Sequence, residues 1–373
     1  MDYDLTEEQN ILKESARRFL SERCPSNHVR AMAEDERGCT DDLWQKMAEL
    51  GWMGLMIPEQ YGGSGMDFLH LTVLLREMGY SCMPGPFFST AVIGGLSILE
   101  GGSDAQKKEL LPDLASGKLL TTLAWLEEDA VYTSEGIRLP VEKKKGYTLS
   151  GTKLFVPDAL GADIIICAAR TGKKPTDISL FLVDAQSSGV SITPLDTFAG
   201  DKQYAVAFDG VSVPEEKLLG KLNGGWPVLK KVLLMASVAK CAEMSGGAQR
   251  VMEMTVTYVK DRTQFGRPVG AFQAVQHHCS NMLTFVETIQ FMTDQAAWLI
   301  SEGLPFEKEA SMCKAWVSDS YRRLVALGHQ CIGGMGFMEE FDLQLYFKQA
   351  KVAEQMFGDA DFHRELLAQE MAW

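Results

Sequence analysis

Long apolar runs are missing from this 373-residue chain, and none approaches the roughly 18 residues that a membrane-crossing helix requires. No membrane span is expected. Histidine is scarce: of six residues only His277 and His278 are adjacent, and no Asp or Cys stands at ligand spacing beside them, so a metal site is not indicated. The eight cysteines (Cys24, Cys39, Cys82, Cys167, Cys241, Cys279, Cys313 and Cys331) contain no CxxC pair and no Cys/His pattern. Neither a zinc site nor a disulfide framework is indicated, and the pattern fits buried, reduced thiols of a cytosolic protein. Positive charge is in deficit. With 36 Lys+Arg against 50 Asp+Glu the net charge is -14, which disfavours nucleic acid as a partner and requires any anionic ligand to be met by local cations. The opening MDYDLTEEQNILKESARRFL has neither the basic nor the apolar region of a secretory signal. A cytoplasmic location is expected.

What is present divides into three stretches. A chain of this length exceeds one ordinary core, and its 46% hydrophobic and 23% charged residues are those of a globular protein. Over residues 1–118 the period is helical: Leu5, Ile11, Leu12, Ala16, Phe19 and Leu20 form one stripe, and Thr6 with Gln9 makes a capping box. Over 119–225 the period shortens to strands such as ADIIICAAR, SLFLVD and YAVAFDGVSV, separated by turn residues. After GKLNGGWPVL, over 226–373, the helical period returns. Phe272, Val275, Cys279, Met282, Phe285 or Val286, Ile289 and Met292 step by three and four, as in a helix buried along one face of a bundle. The stretch DRTQFGRPVGAFQAVQHH interrupts this region with two arginines beside a Phe265-Gly266 turn.

Six blocks in order carry a resemblance. LTEEQ, WQKMAELGWMGLMIPEQYGGSGMD, SDAQKKELLPDLASGK, YTLSGTKLFVPDALGAD, DRTQFGRPVGAFQAVQHH and HQCIGGMGFMEEFDLQLYFKQAK together resemble the acyl-CoA dehydrogenases, flavoproteins that oxidise the Cα–Cβ bond of an acyl-CoA thioester. The resemblance implies an α+β fold: an N-terminal helical domain, a central β-barrel-like domain and a C-terminal four-helix bundle. It also implies FAD lying between the last two domains and across a subunit interface, and electrons passing to electron-transferring flavoprotein. By the same resemblance Arg262 faces the FAD pyrophosphate, Phe265 offers an apolar surface, and Gln273 adds a polar contact. Gln330, Gly333 and Gly334 take the positions of a Gln-x-x-Gly-Gly segment along the adenine and ribose. In the β domain Trp125 and Phe155 stand where the flavin is expected. The chain departs from the family there: no Gly-Ser-Asp follows Trp125, and Pro157, with no N–H and no hydroxyl, replaces the usual Thr.

The reaction that the resemblance implies needs a carboxylate to take the α proton. The family carries it on a C-terminal Tyr-Glu-Gly or on the long helix before the Arg-x-x-Phe-Gly turn, and here those slots read Phe357 and Ala236. Neither accepts a proton. Three expectations follow. The chain is one subunit of a mixed assembly, a dimer or heterotetramer, acting on a bulky or cyclic acyl-CoA, with a homologous partner contributing the base, either alone or together with the complete FAD site. Alternatively it is self-sufficient with a displaced carboxylate, Asp359 first, then Asp361, Glu340 or Glu243. The third is a non-catalytic flavin- or acyl-CoA-binding subunit.

Overall fold

The computed structural model describes residues 4–371. In chain order the helices are α1 (Glu7–Arg23), α2 (Ser26–Glu34), α3 (Asp41–Glu49), α4 (Phe68–Tyr80), α5 (Gly95–Gly101) and α6 (Asp104–Ala115). The strands follow: β1 (Thr121–Ala124), β2 (Val141–Lys144), β3 (Gly146–Pro157), β4 (Ile164–Arg170), β5 (Ile178–Asp184), β6 (Val190–Leu195), β7 (Gln203–Val213) and β8 (Leu218–Leu219). Then come α7 (Gly225–Asp261), a hairpin of β9 (Thr263–Gln264) and β10 (Arg267–Pro268), α8 (Gln273–Ser301), α9 (Glu307–Ile332), α10 (Leu343–Gln355) and α11 (Ala360–Glu370). This is the expected helical, sheet, helical order, with α11 as a helix beyond the expected four of the C-terminal bundle.

By compactness the chain sorts into two units that cut across the linear order. One comprises residues 1–30, 67–83 and 234–373, the other 31–66 and 84–233. In the first, Thr6 and Gln9 close the expected capping box around the start of α1. Ala16 and Leu20 of α1, Leu74 and Leu75 of α4, Met282 and Ile289 of α8 and Leu324 of α9 are buried together in its core. Ile11 departs from the expected stripe. It is 62% exposed, because a 3.6-residue period tolerates one position off the core face. Helices α4 and α7 cross at glycines: a Cβ on Gly79 would lie 1.9 Å from the carbonyl of Glu243, and one on Gly246 1.8 Å from that of Arg76. Any side chain at either position would force the backbones apart.

The second unit holds two four-stranded sheets, ordered β1-β4-β5-β8 and β2-β3-β7-β6. Within the first, β1 runs parallel to β4 and the rest are antiparallel; the second is antiparallel throughout. The β-branched and aromatic residues of the two sheets share one core, in which Val156, Ile165, Phe181, Val206 and Val211 are 0% exposed. That core holds β3 in place, and with it Phe155.

Candidate active site

Where the long helix α7 ends, the chain turns through the smallest available hairpin. Gln264 pairs with Arg267 and Thr263 with Pro268, leaving Phe265 and Gly266 as the two loop residues. Both have positive φ, 52° and 78°, the combination of a type I′ turn. For Gly266 this is free. For Phe265 it costs about 1–2 kcal/mol, held by the pairing and by a hydrogen bond from the Val269 N–H to the Arg262 carbonyl at 2.8 Å. The strained residue gains no burial: its ring is 92% exposed, meeting only the edge of Phe272, over which the Arg267 guanidinium lies at 4.1 Å. Arg262, Gln273 and Gln330 are exposed as well.

Helix α9 ends within the same unit at Gly333, whose φ of 70° stops the helix. A Cβ added at Gly333 or Gly334 would meet nothing within 4 Å. The backbone there is open to a ligand's approach, and no packing explains why these residues are glycine. Because α8 and α9 run antiparallel, the start of α8 lies beside the end of α9, and the Tyr258 ring of α7 meets Phe341 edge-on at 6.4 Å. Topology thus gathers Arg262, Phe265, Gln273, Gln330, Gly333 and Gly334 at one end of the bundle.

The loop that carries Phe357 is the second strained feature. Phe357 and Gly358 have φ of 62° and 96°. Two buried side chains hold this loop. Lys314, 0% exposed, donates from Nζ to the carbonyls of Glu354 (2.9 Å) and Gly358 (2.8 Å) and to Ser318 Oγ (3.0 Å). Burial pushes its ammonium down to about 8, against the raising influence of Cys241, Asp359 and Glu354. His363 Nε2 lies 3.0 Å from the Phe357 carbonyl. A carbonyl only accepts, so Nε2 carries the hydrogen, while Nδ1 is buried with no hydrogen-bond partner. Burial, then the nearby Lys314 charge, pushes this imidazole down to about 4. Neither Lys314 nor this use of His363 was visible in the sequence, where Lys314 stands among apolar residues without a motif.

The candidate carboxylates are engaged elsewhere. Asp359 caps α11, accepting from the Phe362 N–H at 2.9 Å. Asp361 is 89% exposed and paired with Arg364 at 2.7 Å. Glu340 lies exposed in the turn after α9, its carbonyl held by Arg30. Glu243 pairs with Lys240 beside a cavity of about 30 Å³ that Met78, Cys82, Met244 and Tyr321 also line, room for one or two waters and no thioester. Ala236 is fully buried in α7.

In the other unit Phe155 sits where the β3–β7 register slips between Lys153 and Val156, with φ of 55° and its ring 45% exposed. Trp125 is different. It is 6% exposed and packs on Tyr132, so its ring is part of the local packing and not a free face. Its carbonyl and Glu127 Oε1 both accept from Lys153 Nζ, at 3.3 and 2.7 Å. Glu127 Oε1 also takes the N–H groups of Arg138 and Leu139. This buried pair, which sequence reasoning missed, fixes the loop after β1. Among the described residues seven non-glycine positions have positive φ, and three of them are Phe155, Phe265 and Phe357, bulky residues in a region they rarely enter. The other four are Cys82, Ala130, Asp158 and Asn223.

Models of the acyl-CoA dehydrogenase N-terminal, middle and C-terminal domains match residues 6–118, 127–211 and 223–372. The chain belongs to the acyl-CoA dehydrogenase family. It is 30% identical to an acryloyl-CoA reductase (NADH) of Anaerotignum propionicum, covering all of this chain and 96% of that one. Among solved structures it resembles the steroid ACAD Tcur3481-Tcur3483 at 30% identity and a TM-score of 0.88, covering 98% of each chain. It also resembles butyryl-CoA dehydrogenase of Megasphaera elsdenii at 25% identity and a TM-score of 0.92 over the full length of both. Members of the family are FAD-dependent oxidoreductases. The residues fit that cofactor: an exposed guanidinium for a pyrophosphate, and two glycines whose open backbone admits a nucleotide. No helix of the described residues is long and apolar enough to cross a membrane, and no group of three or more metal-ligating side chains occurs among them.

Proposed function

We propose that this chain is the FAD-holding subunit of a cytoplasmic acyl-CoA dehydrogenase in which a homologous partner subunit, in a dimer or heterotetramer, supplies the base. The substrate is a bulky or cyclic acyl-CoA, and the electrons pass to electron-transferring flavoprotein. FAD, when bound, supplies the hydride acceptor. Arg262 meets its pyrophosphate with a planar, permanently charged donor set. Gln273 and Gln330 offer amides to its polar atoms, Gly333 and Gly334 admit its adenosine half, and Phe265 presents an apolar face. Trp125 acts indirectly, through the loop it anchors.

The observation that carries the mixed assembly is the loop at 357. Its strained backbone is held by Lys314 and His363 around a side chain that can pack and exclude water but cannot take a proton. Asp359, the nearest carboxylate in sequence, is committed to its cap. On this reading the α proton leaves to a carboxylate of the partner subunit. The similarity to a steroid ACAD supports a large acyl group. Purified alone, the chain is expected to turn over few acyl-CoAs, and co-expression with a homologue that keeps the Glu is expected to restore activity. Robust turnover by the isolated protein, lost in Asp359→Ala, would establish a displaced base instead. A flavin-binding protein inactive with every partner would establish a binding subunit.

A further inference from the structure

The glycine turn between α9 and α10 is open in front, at Gly333 and Gly334, so its conformation depends on what holds it from behind. The Gly333 N–H donates to the His329 carbonyl. The Gly336 carbonyl accepts from Gln344 Nε2 of α10 at 2.6 Å, and the same nitrogen lies 3.4 Å from His329 Nε2. His329 is 8% exposed, its ring meeting those of Phe337 at 5.0 Å and Phe347 at 5.3 Å. Its Nδ1 lies 3.0 Å from the Val325 carbonyl. A carbonyl only accepts, so Nδ1 carries the hydrogen and Nε2 presents its lone pair. Both hydrogens of the Gln344 amide are thereby assigned, one to the Gly336 carbonyl and one to His329. The amide cannot turn over, since its oxygen would then face a carbonyl and a lone pair.

We propose that Gln344 and His329 are positioning residues for the adenosine half of FAD. The neutral imidazole fixes the amide, the amide fixes the Gly336 carbonyl, and the glycine turn is presented to the nucleotide in one conformation. Both side chains act through the backbone. A turn left to fluctuate has to be ordered as the ligand binds, and that cost lowers affinity. The inference rests on the reading that Gly333 and Gly334 admit FAD, and it is independent of which chain carries the base.

The test titrates FAD into the flavin-free full-length protein, alone and co-expressed with its homologous partner, and follows flavin fluorescence. ADP, which carries the adenosine half alone, serves as competitor. Gln344→Leu keeps the bulk and removes the amide. Its dissociation constant for FAD should rise about tenfold, the weight of one hydrogen bond, and ADP competition should weaken by the same factor. The absorption spectrum of the flavin bound at saturation should stay as in the wild type, whereas a general loosening of the bundle would move it. Gln344→Glu has the amide's shape but cannot donate to the Gly336 carbonyl; it should match Gln344→Leu and replaces it if that variant does not fold. His329→Phe keeps a ring beside Phe337 and Phe347 and should weaken binding in the same direction. The double variant should be no worse than Gln344→Leu alone, because both residues work through one carbonyl. Gly334→Leu tests the FAD reading itself. If Gly334→Leu loses FAD while Gln344→Leu and Gln344→Glu keep it, if the losses at 329 and 344 add, or if the bound spectrum shifts, the inference is overturned and that reading stands. A wild type that binds no FAD, alone or with its partner, would overturn both.

Discussion

Replacing Lys314 by Met keeps an unbranched side chain of similar length and removes the three donors. Three hydrogen bonds from a charged donor contribute roughly 1.5–3 kcal/mol each, about 5–9 in all. Against this stands the cost of burying the ammonium. Depression from 10.5 to about 8 corresponds to about 3 kcal/mol, which the variant recovers. The balance is a loss of about 2–6 kcal/mol, or a thermal midpoint lower by about 5–15 °C for a unit of roughly 200 residues. The damage should be local first. Amide exchange at 356–360 should accelerate before the rest of the bundle, because the Glu354 and Gly358 carbonyls lose their donor. The pH dependence isolates the charge. Between pH 8 and 10.5 the unfolded chain keeps a proton on Lys314 that the native state has released, so native stability rises with pH across that window. The wild type should thus gain up to about 3 kcal/mol over Lys314→Met on passing from pH 8 to 10.5, read from denaturant titrations at each pH. A flat difference across the window, or a variant with unchanged midpoint and exchange, would refute the argument.

His363 gives the acid counterpart. Its folded-state value of about 4 lies below the ordinary 6.5, so below pH 6.5 the unfolded chain binds a proton that the native state refuses, and stability falls as pH drops towards 4. His363→Phe should flatten that limb in acid titrations followed by circular dichroism. Gly334→Leu meets open space; it should leave stability within about 0.5 kcal/mol while lowering the flavin absorbance of the purified protein. Glu127→Gln leaves the buried Lys153 ammonium without its carboxylate and should cost about 3–5 kcal/mol, seen as a lower urea midpoint.

The sequence was informative where a local rule sufficed. The capping box at Thr6 and Gln9 needs only four residues in register, and it is present. The switch from a 3.6-residue to a two-residue period located the sheets, and the Phe265-Gly266 pair located the turn. Stripe reading went wrong at Ile11, where helical spacing is satisfied by a residue that the fold leaves in solvent. The family resemblance, not a stripe, set Trp125 beside the flavin. A ring in a loop has no periodicity to say whether it faces solvent or core, and here it is enclosed against Tyr132. Lys153 and Lys314 were missed for a related reason: a buried lysine is worth its desolvation only where carbonyls or a carboxylate converge on it, and those come from positions remote in sequence.

The linear order of residues determined the family, the alternation of helix and strand, and the absence of an acid at positions 357 and 236, because each is a property of identity and spacing. Only the tertiary structure decided that Asp359 caps a helix, that Glu243 is tied to Lys240, and that three phenylalanines are held in left-handed backbone. Those outcomes depend on which carbonyls, amides and rings meet in space, and long-range packing sets such encounters.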